Sequence, residues 1–382
     1  MASSSSKKHC GDNNYLEMSP ERARKLFHSG GVLLILNLPV GSVFGIDMKV
    51  YQVGEKFKGL KMIPPGLHFI YYSAVSKEGC TAPRTGFFHF FSPQEIVIKK
   101  WDNSSENLNC VDASEEEIQR IKDNLQDLDR YLGAYPYQTL KQWNYLTCNI
   151  SESLVKKLQP LSGTVSSVTQ LVPLSYPSQE STEPDSTTER RFQTLEDKYL
   201  PDMKKVPGTE IRFTDIPQNK YPEGSSAAEI TMHSMDSTYV LEQLLKSFEK
   251  DDDILGELQM AHVCFLIAHV YDAFEHWKKL VHILCSLDSG LQKHSKLLKT
   301  FLTILHYQLK EIPTDFFVDI TSENNFLVNT LRIFFENVKS SDIDEEFKMF
   351  ANRFRKSITS IYKWDFEGVP DEEQPVMVDL ET

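Results

Sequence analysis

The sequence has too little positive charge for a protein whose main partner is nucleic acid. Its 382 residues include 41 lysines and arginines against 54 aspartates and glutamates, which gives a formal net charge of −13. Phosphate binding needs clustered cations. Stable direct binding of nucleic acid is therefore not expected, and a small basic patch is the most that this balance allows.

Paired cysteines and long apolar runs are also missing. The six cysteines are far apart and none belongs to a CxxC pair, which argues against zinc ribbons and thioredoxin-like folds. The first residues, MASSSSKKHCGDNN, lack the apolar core of a signal peptide. No stretch reaches the roughly 18 consecutive apolar residues that cross a bilayer. We expect no membrane association, reduced thiols, and a location in the nucleus and cytoplasm.

Familiar catalytic motifs are absent as well. The chain contains no GxGxxG, GxxxxGK[ST], HExxH or GxSxG pattern. We therefore predict a protein that is not an enzyme, with no catalytic residues, no cofactor and no metal site.

A histidine series is the richest titratable cluster. His262, His269 and His276 recur every seven residues, so they can share one face of a helix. Neighbours two helical turns apart are separated by about 10 Å, whereas a zinc ion needs its ligands at about 2 Å. A structural or interface role is favoured over a metal site.

The hydrophobic patterning changes along the chain and predicts an α+β protein with two domains. Residues 18–158 form the β-rich N-terminal domain, because short β-branched or aromatic runs alternate there with turn formers. The runs are VLLILNL (32–38), LHFIYYS (67–73), TGFFHFF (85–91) and EIVIKKW (95–101). Their spacing favours a compact antiparallel sandwich or barrel with added helices, one of them opened by a Ser114–Glu117 capping box.

The rest of the chain is predicted to contain a linker, a helical domain and a tail. Between residues 160 and 188, 16 of 29 residues are Ser, Thr or Pro, so a flexible linker is predicted over 159–206. The C-terminal domain, 207–364, is helical in pattern after a short strand at GTEIRFTDIP (208–217). Its helices are predicted at about 227–248, 252–287 with a break near 269, 291–310, 325–339 and 342–362, and a Ser226–Glu229 capping box opens the first. Residues 365–382 form an acidic tail.

Two aromatic segments have alternative interpretations. Aromatic side chains on a sheet can stack on RNA bases. The segment RTGFFHFF (84–91) therefore suggests an alternative function, direct RNA binding by the aromatic β-domain. In a strand, Phe87 and Phe88 face opposite ways, and burial of both faces in a core is favoured. The helical segment 254–284 is apolar on more than one face. It predicts a central pair of core helices, or a docking groove formed by Phe274, Trp277 and their neighbours.

The tail and the linker supply the candidate site residues. The segment 375–380 alternates like a strand, and an extended peptide can add to the edge of a partner's sheet through main-chain bonds. Val376, Val378 and Leu380 would then point to one side of the added strand. In the linker, Thr182 and Ser186 lie in STEPDSTTER, an acidic context that acid-directed kinases favour, and are candidate regulatory phosphorylation sites.

Several long blocks, in order along the chain, closely resemble the Aar-two splicing-factor family. The resemblance is carried by FGIDMKVYQVGEKFKGLKMIPPGLHFIYYS (44–73), PRTGFFHFF (83–91), LGAYPYQTLKQW (132–143), GTEIRFTDIP (208–217), LGELQMAHVCFLIAHVYDAFEHWKKL (255–280), EIPTDFFVDI (311–320) and KWDF (363–366). These blocks extend from about residue 18 to residue 366 and leave the linker, the first 17 residues and the last 16 without a visible match.

The resemblance implies a β-sandwich-like N-terminal domain and a VHS-like helical C-terminal domain. It also implies a non-enzymatic chaperone that assembles the U-five small nuclear ribonucleoprotein (snRNP) for pre-mRNA splicing. Family members bind the large core spliceosomal protein at its RNase H-like and Jab/MPN-like domains, and so keep the spliceosomal RNA helicase and RNA away until maturation. The family has no catalytic motif that could be transferred to this chain.

Overall fold

The structure is a computed structural model that describes residues 20–75, 79–110, 115–168, 171–173, 203–312 and 326–366. The chain divides into two compact units. The first unit comprises residues 1–38, 54–66 and 91–135, and the second comprises 39–53, 67–90 and 136–382. Each five-stranded sheet lies essentially within one unit, and the C-terminal helices lie in the second.

The first unit is built on a mixed sheet. It begins with helix α1 (Pro20–Ser29), and its strands, in spatial order, are β8 (Asn107–Cys110), β7 (Ile96–Asp102), β1 (Gly31–Leu36), β4 (Gly59–Ile63) and β9 (Leu132–Ala134). Strand β1 is antiparallel to β4 but parallel to β7, and β4 is parallel to β9, so the prediction of antiparallel strands is wrong for this sheet. The helices α2 (Glu115–Asp123) and α3 (Leu125–Leu128) supply Ile121, Leu125 and Leu128, which pack against buried Val32 and Leu34 of β1.

The second unit contains the other sheet. Its strands, in spatial order, are β10 (Val165–Ser166), β6 (Thr85–Phe91), β5 (Gly66–Ser73), β2 (Val43–Ile46) and β3 (Lys49–Gln52). Asp47, in the turn between β2 and β3, is fully buried with a positive φ of 52°. Its carboxylate lies 2.7 Å from His68 Nδ1 and accepts a hydrogen bond from the amide of Phe69 at 2.9 Å. These bonds satisfy a buried acid and fix the turn to β5.

Helices make up most of the rest of the second unit. They are α4 (Leu140–Thr147), α5 (Glu152–Leu158), α6 (Ala227–Met235), α7 (Thr238–Leu245), α8 (Asp253–Leu266), α9 (Tyr271–Cys285), α10 (Ser295–Glu311), α11 (Phe326–Ser340) and α12 (Glu345–Tyr362). One core joins α7 through α12, and a second joins β5 and β6 with α4, α5, α8 and the start of α9. Within the described residues, no helix is both long and apolar enough to cross a membrane.

The predicted fold class, a two-domain α+β protein with its sheets toward the N-terminus and helices toward the C-terminus, is confirmed. The Ser226–Glu229 capping box is present, and helices α8 and α9 separate near residue 269 as expected. The left-handed φ of His269, 60°, accounts for that break. The predicted helix 227–248 is instead two helices, because Asp236 has an extended backbone that ends α6 and its carboxylate accepts hydrogen bonds from the amide and hydroxyl of Thr238, the first residue of α7.

The strand predicted at 208–217 is wrong in one respect. The segment is ordered, but residues 211–217 form no strand pairing with any part of the chain that the structure describes. The amide of Arg212 donates to the carbonyl of Leu158 at the end of α5 (2.7 Å), and the amide of Thr214 donates to Glu257 of α8 (2.8 Å). The segment therefore bonds to helices rather than to a neighbouring strand.

The described parts of the predicted linker contain short strand pairs. Strand β10 is antiparallel to β6, and β11 (Leu171–Pro173) is antiparallel to β12 (Met203–Lys205). Residues 174–202, and Ser114 of the other predicted capping box, lie outside the described residues. The domain boundaries at 158, 206 and 364, the sandwich-like packing and the VHS-like likeness stay predictions.

Candidate functional site

An open cavity of about 440 Å³ in the second unit is the candidate site, and we call it the groove. One wall is the end of β10 with Ser166 and Val168, and a second is the segment 209–215. The third is the start of α9 with the residue before it. The charged and titratable lining residues are Glu210, Asp215, Asp272, Glu275, His276 and Lys279. Four carboxylates against one lysine make the described lining acidic.

A buried hydrogen-bond network holds the segment 209–215 against the helices. Glu257 of α8 is fully buried, and its Oε1 accepts from the amide of Thr214 and lies 2.8 Å from His276 Nε2. Its Oε2 accepts from the Thr214 hydroxyl at 2.7 Å. The ring of Phe213 stacks on His276, with centroids 4.3 Å apart and planes 10° from parallel. A buried carboxylate is tolerated only when its oxygens are satisfied, so these contacts position the wall of the groove.

Arg84, just before β6, fixes the loop between α8 and α9. One of its guanidinium nitrogens donates to the carbonyl of Ile267 and lies 3.1 Å from His269 Nε2. The guanidinium also lies over the Tyr71 ring, 4.9 Å from its centroid. Partial burial and the adjacent charge of Arg84 lower the pKa of His269, so that imidazole is kept neutral beside the arginine. The loop leads directly into the α9 wall of the groove.

The three histidines that recur every seven residues do not converge. His262 is fully buried in the helical core, and burial lowers its pKa to about 3. His269 is in the loop beside Arg84, and His276 lines the groove with its Nε2 on Glu257. Among the described residues, no group of three or more His, Cys, Asp or Glu side chains is placed to hold a metal ion. Each of the three histidines instead lies in a different environment and contacts different residues.

The helix pair α8–α9 is a core element, as favoured from the sequence. Trp277 is 1% exposed, and its indole nitrogen donates to Gln308 Oε1 at 3.0 Å, so this residue is not part of a docking surface. Phe274 is only partly buried and stacks on Phe265, with centroids 4.4 Å apart. Tyr271 beside it is 67% exposed. The predicted aromatic groove is therefore reduced to a partly exposed cluster at the start of α9.

The aromatic strand β6 is core. Phe87, Phe88 and Phe91 are each less than 9% exposed, and Phe88 packs on Phe69 with centroids 4.6 Å apart. This confirms the predicted burial of both strand faces. Base stacking needs accessible rings, and these three phenylalanines do not offer them.

The other candidate residues lie outside the described residues. They are Val376, Val378 and Leu380 of the tail and Thr182 and Ser186 of the linker. Their roles in strand addition and phosphorylation stay predictions. The groove itself was not predicted from the sequence, although one signal was available: in EIRFTDIP the acids Glu210 and Asp215 flank the apolar Ile211 and Phe213.

Comparison with known proteins identifies two matched regions. Residues 29–160 match the AAR2 N-terminal domain, and residues 213–367 match the AAR2 C-terminal repeat region. A protein named Protein AAR2 homolog from Macaca fascicularis is 43% identical over 376 residues, covering 96% of this chain and 97% of the relative. The Homo sapiens protein of that name is 42% identical over 376 residues, covering 96% of this chain and 97% of the relative. The Caenorhabditis elegans protein is 37% identical over 362 residues, covering 91% of this chain and 98% of its own.

Proposed function

The chain belongs to the AAR2 family, and on that membership we propose that it is a non-enzymatic assembly factor of the U-five snRNP in pre-mRNA splicing. The observation that carries the proposal is the extent of the similarity. Both family regions match in order, and relatives align with 96% of the chain rather than with one domain. The family resemblance stated above supplies the role.

The proposed partner is the large core spliceosomal protein, bound at its RNase H-like and Jab/MPN-like domains, together with other U-five snRNP proteins. The complex would keep the RNA helicase and RNA away until maturation. The net charge of −13 supports this role, because an acidic chain on a basic surface repels phosphates. The proposed location of these contacts is the nucleus and the cytoplasm.

The acidic tail is proposed to contribute by strand addition. In that arrangement the main chain of 375–380 pairs with the edge of the partner's sheet, while Val376, Val378 and Leu380 fill pockets on one face. Phosphate on Thr182 or Ser186 adds about −1.5 to −2 charges and would strengthen the repulsion of RNA or of an acidic partner. Both contributions can be tested separately from binding by the folded units.

The test is affinity purification of the tagged full-length protein from nuclear and from cytoplasmic extract. We expect the large core spliceosomal protein to be recovered without the RNA helicase, because the two compete. Recovery of assembled spliceosomes with the helicase present, or of neither protein, contradicts the proposal.

The alternative, direct RNA binding by the β-rich domain, has a distinct signature. Binding through several phosphates loses affinity steeply as salt increases, with a logarithmic slope of about −0.7 per contact for single strands. We expect no measurable binding of U-five RNA to the purified chain at physiological salt. Tight binding with a steep slope would favour the alternative.

A further inference from the structure

We propose that the groove is a docking site for an extended, basic peptide segment of a partner protein, which adds as a strand along residues 211–213. The inference goes beyond the assembly role, since it concerns a surface of the folded second unit and does not depend on which protein supplies the peptide. It rests on unpaired backbone, uncompensated charge and one polar side chain at the groove.

The backbone of 211–213 presents an open edge. In an extended chain, successive residues direct their N–H and C=O groups to opposite sides. The amides of Arg212 and Thr214 bond to Leu158 and Glu257, so the backbone groups of Ile211 and Phe213 point the other way. Across the described part of the chain, those groups of Ile211 and Phe213 have no hydrogen-bond partner. Such an edge is a template for strand addition.

The opposite wall presents a second open edge. Strand β10 is the last strand of its sheet, and the amide of Ser167 donates to the carbonyl of Arg84 on the β6 side. By the alternation of an antiparallel pair, the N–H and C=O of the preceding Ser166 point away from β6. Ser166 lines the groove. A peptide in the groove therefore meets, on both sides, main-chain groups that have no partner among the residues described.

The charge of the lining selects a cationic occupant. Glu210 and Asp215 are exposed, and neither has an ion-pair or hydrogen-bond partner within the ranges described. Glu275 already lies 2.7 Å from Lys278. Lysine and arginine side chains would meet Glu210 and Asp215, while their aliphatic stems pack on apolar lining residues such as Phe213.

His276 adds a polar group that is already held in place. It is 9% exposed, it lines the groove, and its Nε2 is engaged by Glu257. Its Nδ1 has no hydrogen-bond partner in the described part of the structure. With Nε2 engaged by the carboxylate, Nδ1 is the ring nitrogen left to form a hydrogen bond with a peptide in the groove. The size of the groove, about 440 Å³, is within the range of ligand sites.

The experiment is selection of random nine-residue phage-displayed peptides on the purified full-length protein. We expect enrichment of lysine and arginine, alternating with aliphatic or aromatic residues. The leading synthetic peptide is then titrated by fluorescence anisotropy against wild type, Glu210→Lys/Asp215→Lys, and the control Glu223→Lys. Glu223 is an exposed glutamate that does not line the groove.

We expect at least a tenfold loss of affinity in the groove variant and less than a twofold change in the control. N-methylation of alternate peptide amides should also cost at least tenfold, because main-chain bonds carry the pairing. Selected peptides without basic enrichment, or equal affinity for wild type and the groove variant, overturn the proposal. The selection is repeated on the variant Arg190→Glu/Arg191→Glu. If basic peptides are enriched only on this variant, the chain's own segment occupies the groove of the wild type, and the proposal of a partner peptide is overturned.

Discussion

Strand β6 and residues 209–215 differ in which of their groups are buried and which are accessible to a partner. Strand β6 is rich in aromatic residues, and Phe87, Phe88 and Phe91 are buried. The segment 209–215 has one aromatic residue, but it exposes two acids, and the main-chain groups of Ile211 and Phe213 have no hydrogen-bond partner in the described parts of the chain. The aromatic side chains of β6 therefore belong to the core, whereas 209–215 places acidic and main-chain polar groups at the surface.

The largest expected effect tests the core side of this comparison. Phe88→Ala removes a buried ring that packs on Phe69, and such truncations cost about 3–5 kcal/mol. Urea denaturation at neutral pH measures the loss, and Phe88→Leu should lose less because part of the volume is retained. A loss below about 1 kcal/mol for Phe88→Ala would show that the strand is not core.

A smaller effect is expected where the groove is attached to the helices. Glu257→Gln keeps the shape but weakens three hydrogen bonds to a buried carboxylate, which should cost about 2–3 kcal/mol. The exposed control Glu223→Gln should change stability by less than about 0.5 kcal/mol. If both variants are equally stable, Glu257 does not fix the segment 209–215.

Acid sharpens the comparison further, because α8 carries both Glu257 and the core residue His262. Burial lowers the pKa of His262 from 6.5 to about 3, so below pH 6.5 the unfolded chain binds a proton that the native state does not. Stability should therefore fall as pH falls from 6.5 toward 3, by about 1.4 kcal/mol per pH unit. His262→Leu removes this contribution. Between pH 7 and pH 5, the denaturation midpoint of the wild type should therefore fall further than that of the variant. Equal falls in the two proteins would contradict the assignment.

The smallest stability effect is predicted for the groove surface itself. Asp215→Lys changes an exposed side chain without a partner in the described residues, so the free energy of unfolding should change by less than about 0.5 kcal/mol. Thermal or urea unfolding measures this change beside the wild type. A loss above about 1.5 kcal/mol would mean that Asp215 is structural rather than available for binding.

Hydrophobic periodicity predicted the longer strands, whose side chains are largely buried. The runs at 32–38, 67–73, 85–91 and 95–101 correspond to β1, β5, β6 and β7. Strands β2, β3 and β4 were not predicted, since each is only four or five residues long, too short for a pattern to stand out. The carboxylate of Asp236, at the break between α6 and α7, accepts local hydrogen bonds from Thr238 and also long-range bonds from the amides of residues 288 and 289, which no local pattern contains.

The candidate site was less predictable than the fold for the same reason. The groove requires β10, residues 209–215 and α9 to meet, and it depends on a contact between Glu257 and Thr214, 43 positions apart. Sequence patterns indicated that 208–217 is ordered, but not that Arg212 would bond to a helix end. The tail residues Val376, Val378 and Leu380 were identified from alternation alone and stay predictions.

The most direct test of the central claim, that this chain assembles a complex by binding protein rather than RNA, is one titration. The large core spliceosomal protein is titrated with the full-length chain, the chain truncated after Phe366, and Val378→Pro, with U-five RNA as competitor. We expect saturable binding by the full-length chain, weaker binding by both variants because strand addition is lost, and displacement of RNA from the partner. Absence of binding by the full-length chain, or binding only through the RNA, would contradict the account.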